Sequence, residues 1–117
     1  MSDDASRPWK FYIDDMIGCA DKVLAYTNGL DQDRFVQSGL NYDATLRNLE
    51  LIGEAASRVP QFVREKHAQV PWRLMVATRN RLIHGYLGID NDTIWSIVKI
   101  DIPSLLVRLH ELKDASP

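Results

Sequence analysis

At 117 residues, with 45% hydrophobic and 26% charged side chains, the chain has the make-up of an ordinary globular protein that can bury one core. Its single cysteine, Cys19, excludes a disulfide framework and fits a reducing compartment. No apolar run approaches the ~18 residues of a membrane-spanning helix, and a formal net charge of −2 argues weakly against a uniformly nucleic-acid-binding surface.

The start, Met1-Ser2-Asp3-Asp4, is acidic and has no apolar signal segment, so the expectation is one cytoplasmic domain over residues 1–117. A first helix should begin near Pro8 and end before Gly29. Its buried stripe is Trp9, Ile13, Met16, Ile17, Ala20, Val23 and Leu24. Leu30 to Gly39 reads as a linker with a short helical turn that docks Phe35. Asn41 is positioned to cap a second long helix, stopped by Pro60, with Leu46, Leu49, Ile52, Ala56 and Val59 facing inward. Gly53 lies beside that stripe, where a missing side chain permits close helix approach. Glu54 follows it; such a residue is ordinarily solvated or ion-paired, and as a functional candidate it would pair with Arg79 or orient His84.

Gln61 to His67 reads as a short basic turn or helix. Pro71 then opens a central helix, Trp72 to about His84, which Gly85 stops. After a loop, Asp90, Asn91 or Asp92 can cap a last helix carrying Ile94, Trp95, Val98, Ile102, Leu105, Leu106, Leu109 and Leu112, with a kink expected at Pro103. Strand signals are nearly absent. The predicted fold is all-α: an antiparallel bundle of about four main helices plus short ones.

Charge is unevenly spread. Residues 58–84 hold Arg58, Arg64, Lys66, Arg73, Arg79 and Arg81 against Glu65 alone, a net of +5 that leaves −7 elsewhere. Such a block marks either a phosphate-facing surface or a solvated helix face with an acidic neighbour. Within it, Arg79 is out of place. At 100° per residue, Trp72, Met75, Val76, Leu82, Ile83 and Tyr86 all fall within about 60° of it. A guanidinium cannot be neutralised there, so it calls for a partner or an anionic ligand.

Arg79-Asn80-Arg81-Leu82-Ile83-His84-Gly85-Tyr86 spells R-x4-H-x-Y. An imidazole titrates near neutrality and can take or return a proton, while a guanidinium stabilises charge growing on a phosphate. RNA supplies its own nucleophile in the 2′-hydroxyl, so this pair needs no metal, and DNA is not a substrate by that route. Asn80, one turn before His84, and the neighbouring Arg81 are supporting phosphate-binding candidates. Tyr86 could stack on a base or bond a phosphate. On a regular helix His84 lies about 140° from Arg79, so either the helix loosens or a second chain completes the site; a two-fold homodimer with facing central helices would bring both pairs to one cleft. The bland reading has His84 ending its helix in the favourable field of the dipole and Arg79 merely snorkelling. By this chain's composition the full motif arises by accident ~0.008 times. Cys19, His67, His84 and His110 lack metal-ligand spacing, no phosphate-cradling glycine loop is present, and the three tryptophans sit on apolar stripes as core residues.

The motif resembles the signature of HepT-like proteins of the HEPN superfamily. The resemblance extends through Asn48-Leu49-Glu50-Leu51-Ile52-Gly53-Glu54-Ala55, Pro71-Trp72 and the segment from Trp95 to Pro103. It implies a helical homodimer with its signature residues in a shared cleft, acting without cofactor or metal as the endoribonuclease toxin of a type II toxin–antitoxin pair. The implied antitoxin is a minimal nucleotidyltransferase (MNT), which in this family can adenylylate the signature tyrosine. Carried over by position, Arg79 and His84 are catalytic, Asn80 supports them and Tyr86 is the modification site; nucleotides on Tyr86 would block the cleft by bulk and repulsion. The competing reading is a non-catalytic helical partner or substrate of a nucleotidyltransferase.

Overall fold

A computed structural model describes residues 8–85 and 89–115. Four long helices carry it: α1 (Trp9–Thr27), α3 (Leu40–Arg58), α5 (Trp72–His84) and α7 (Ile102–Ala115). Between them stand the short helices α2 (Gln32–Gln37), α4 (Gln61–Lys66) and α6 (Asn91–Ser96), the last running through a π-helical turn, Ile97–Asp101, into α7. Helix α3 packs between α1 and α5, and α7 lies on the other side of α1. No strand occurs among the described residues.

The apolar registers account for this order. Ile13, Met16, Ala20 and Val23 of α1 face Leu49, Ile52 and Ala56 of α3, all buried, while Leu105, Leu109 and Leu112 of α7 complete the core. Phe35 is 0% exposed and lies 5.2 Å from the Tyr42 ring and 5.3 Å from the Trp95 ring, so the short α2 does dock through its phenylalanine. Trp72 is buried, whereas Trp9 and Trp95 are half-buried against the core.

The ends follow local chemistry, with two departures from expectation. Asp90 caps α6 by accepting from the Thr93 N–H at 2.8 Å. Asn41, however, does not cap α3. Gly39 adopts φ +61°, open to glycine, and lets the helix begin at Leu40. Asn41 then falls inside the first turn and donates to the Tyr26 carbonyl at 2.8 Å, while Ser38 Oγ accepts from the Tyr42 N–H. At Pro103 the expected kink takes the form of the π turn preceding it. Proline offers no N–H to the carbonyl four residues back, and the ladder widens so that Ile102 N–H reaches Ile97 O.

Candidate functional site

Helix α5 is anchored at its start and freed at its end. Trp72 Nε1 donates to the His67 carbonyl at 3.0 Å, and Trp72, Met75 and Thr78 are buried. Beyond Thr78 the helix emerges: Asn80, Arg81, Ile83 and His84 are exposed, and Gly85, at φ +47°, ends it.

Arg79 stands where these regimes meet, and its neighbour across the interface is Gly53. A Cβ built on Gly53 would lie 2.2 Å from Arg79 Cβ and 2.5 Å from the Met75 carbonyl oxygen. Only glycine lets α3 and α5 approach this closely, as the sequence register anticipated. The tight contact holds the Arg79 stem half-buried. Its Nε is buried with no hydrogen-bond partner among the described residues, and Nη1 donates to Asn80 Oδ1 at 3.0 Å. The guanidinium therefore leans off the apolar face towards the exposed strip where His84 sits, one turn beyond Asn80. Helix α5 stays helical through His84, so it does not loosen to bring the imidazole round to Arg79, and the contact the guanidinium makes on that side is with Asn80.

The other candidates are placed differently. Glu54 does not meet Arg79. One residue on from Gly53, it is turned away about 100° and instead pairs with Arg58 Nη2 at 3.5 Å, beside a groove of about 760 Å³ between α1 and α3 that Cys19 also lines. Burial pushes the Cys19 thiol up, against the opposing pull of Lys22. Arg81 lies on the opposite flank of His84, at a second groove between α5 and the α6–π segment. Tyr86 lies outside the described residues. The sequence reading passed over Asp101, a partly buried carboxylate in that second groove, raised by desolvation; its only sequence signal was its place two residues before the helix-disturbing Pro103.

Chemically, the exposed strip offers a permanent cation held by a rigid stem, an amide, and an imidazole at the helix end. Those are the groups that bind a phosphodiester and move one proton. No set of three or more metal-ligating side chains converges among the described residues, and no described helix is long and apolar enough to cross a membrane.

Comparison with known proteins bears on this site. The profile of the ribonuclease HepT-like family matches residues 16–112. A Methanocaldococcus jannaschii protein provisionally named as an RNase is 39% identical over 101 residues, covering 86% of this chain and 93% of the relative. A provisionally named ribonuclease HepT of Thermococcus cleftensis is 34% identical, covering 92% and 97%, and a provisionally named RNase of Caldanaerobacter subterraneus is 32% identical, covering 86% and 90%. No solved structure gives a significant match.

Proposed function

As a member of the ribonuclease HepT-like family, the chain is an RNA endonuclease, and we propose that it cuts without metal, through Arg79 and His84, as the toxin of a type II HEPN/MNT pair. The observation that carries this is Arg79: half-buried, with an Nε that has no hydrogen-bond partner among the described residues and an Nη1 that donates to Asn80, one turn before His84. A structural arginine on a packed face would be expected to find a carboxylate, and Glu54, the one beside it in the contact, turns to Arg58.

In the reaction, His84 takes the proton of the 2′-hydroxyl as its oxygen attacks phosphorus. The bond to the 5′-oxygen breaks, and that oxygen leaves with a proton from a second imidazole. The products are a 2′,3′-cyclic phosphate and a 5′-hydroxyl. Arg79 offsets the charge gathering on the non-bridging oxygens, and Asn80 holds the guanidinium in line. The second imidazole belongs to a second copy of the chain. Support for that assembly is the apolar surface beside Arg79: Ile83 is 48% exposed and Val76 half-buried, within about 60° of Arg79 on α5. A two-fold partner packed on this face would cover them and set two Arg–His pairs in one cleft. The MNT antitoxin would silence the site by adenylylating Tyr86.

The test uses a defined RNA and its 2′-deoxy counterpart. Cleavage of RNA alone, ending in cyclic phosphate and lost in His84→Ala, is the expected result. His84 is exposed, so its removal should change stability by no more than about 0.5 kcal/mol. Cleavage of the deoxy strand, or full activity in His84→Ala, would refute the mechanism. Incubation with an MNT enzyme and ATP should add adenylyl mass to the wild type and none to Tyr86→Phe.

A further inference from the structure

The groove between α5 and the α6–π segment is distinct from the Arg79 face and has a chemistry of its own. It is an open groove of about 350 Å³, near the lower end of the roughly 300–1,000 Å³ of small-ligand sites. Its lining is mostly apolar, with Leu74 and Ala77 from α5 and Ile97 from the π turn. Its polar groups include the carboxylates of Asp101 and Asp92, the Arg81 guanidinium and the Ser96 hydroxyl. Asp92 already accepts from Gln32 Nε2, which leaves Asp101 and Arg81 as the charged groups open to a ligand. Asp101 is partly buried, has no hydrogen-bond or ion-pair partner among the described residues, and is desolvated enough to hold its carboxyl above the usual range. A carboxylate so placed is stabilised by a ligand that brings N–H donors into the groove.

A ligand matched to this lining has an apolar body, N–H donors for the Asp101 carboxylate and acceptors for the Arg81 guanidinium. Among the nucleobases guanine fits best. N1–H and the N2 amine are adjacent donors that a carboxylate accepts together, and O6 with N7 form the acceptor pair that arginine reads bidentately. Adenine and cytosine set an acceptor beside their amine, and uracil flanks its single N–H with two carbonyls, so each would direct lone pairs at Asp101. The location fits too. Arg81 is three residues before His84, about 60° and about 4.5 Å away along α5, so the groove opens beside the turn that carries the imidazole.

We infer that this groove is a guanine-binding subsite for a nucleotide next to the cleaved linkage, with Asp101 accepting from N1–H and N2–H and Arg81 donating to O6 and N7. The inference rests on the ribonuclease reading for its place in the reaction, while the recognition itself stands without it. Titration of the full chain with each of the four nucleoside 5′-monophosphates, followed by NMR, tests recognition apart from cleavage. GMP should bind about 10- to 100-fold tighter than the others. Asp101→Asn should bring the four to within about threefold, and Arg81→Gln, an exposed change, should weaken GMP selectively even if the first variant folds poorly. In a random-sequence RNA pool, guanine should be enriched at one fixed position from the cut by the wild type and not by Asp101→Asn. Equal binding of all four nucleotides, GMP preference unchanged in both variants, or RNA cleavage with no binding of GMP would overturn the proposal. GMP selectivity lost in the variants, in a protein that cuts no RNA, would support the subsite and sink the nuclease reading instead.

Discussion

Replacing Gly53 by alanine adds one methyl group at the place where α3 and α5 touch. The new Cβ would sit 2.2 Å from Arg79 Cβ and 2.5 Å from the Met75 carbonyl oxygen, where carbon atoms in contact stand ~3.5–4.0 Å apart. The helices would have to separate locally by about 1.5 Å, and Met75 contributes backbone there, so no rotamer change relieves it. Overpacking costs about 1–3 kcal/mol, and a clash this deep against backbone belongs in the upper part of that range, about 2–3 kcal/mol, while alanine regains about 1 kcal/mol of helix propensity. The net expectation is a loss of about 1–2 kcal/mol, or roughly 4–8 °C in Tm at about 4 °C per kcal/mol. Because the clash falls on the stem of Arg79, RNA cleavage should drop by more than the folded fraction does. Thermal and urea unfolding followed by circular dichroism, with single-turnover cleavage on the same samples, measures both. An alanine variant with unchanged or higher Tm and wild-type cleavage would show that the helices do not approach as described, and the placement of the guanidinium argued from that contact would fall with it.

Other outcomes follow from single contacts. Arg79→Met removes a buried nitrogen with no partner among the described residues and keeps much of the stem's packing, so stability should hold or rise by up to ~1 kcal/mol while cleavage disappears; a destabilisation like that of a core truncation would make Arg79 structural. Asp90 has its carboxyl lowered first by the Thr93 N–H, then by the Thr93 hydroxyl. The stability it contributes should be complete above its unfolded pKa of about 3.9 and disappear as pH falls through its lower folded value. Asp90→Asn should flatten that part of the acid-unfolding curve measured by urea midpoint, and an identical acid limb in the variant would count against the cap. Asp101 has the opposite sign. Its raised carboxyl favours the protonated folded form, so Asp101→Asn should gain stability relative to wild type as pH rises through the folded pKa; a variant less stable at pH 7 than at pH 4, relative to wild type, would contradict the burial argument.

The long helices were legible because each writes its own period: the α1 and α7 stripes are buried nearly as spaced, and Pro71 with Gly85 brackets α5. Local stops and starts were less so wherever two neighbours compete. Asn41 is a competent cap by type, but Gly39 turns the chain two residues earlier and gives Asn41 a carbonyl on α1 instead. Pro103 foretold a disturbance, and whether it became a bend or a wider turn depended on which carbonyl Ile102 could reach.

For the site, the linear order of residues was enough to single out Arg79, because a charge inside an apolar register is visible as a violation of pattern. It also identified Gly53 as the position where two helices could close. What it could not decide was direction. One step of 100° separates Gly53 from Glu54, and only the packed helices show that the first faces Arg79 while the second belongs with Arg58. Asn80 as the acceptor for the Arg79 guanidinium, and Asp101 lining one groove with Arg81, are likewise products of how α5 lies against α3 and the π turn. Periodicity encodes which face of a helix is apolar; which neighbour that face meets, and how closely, is set only when the whole chain has packed.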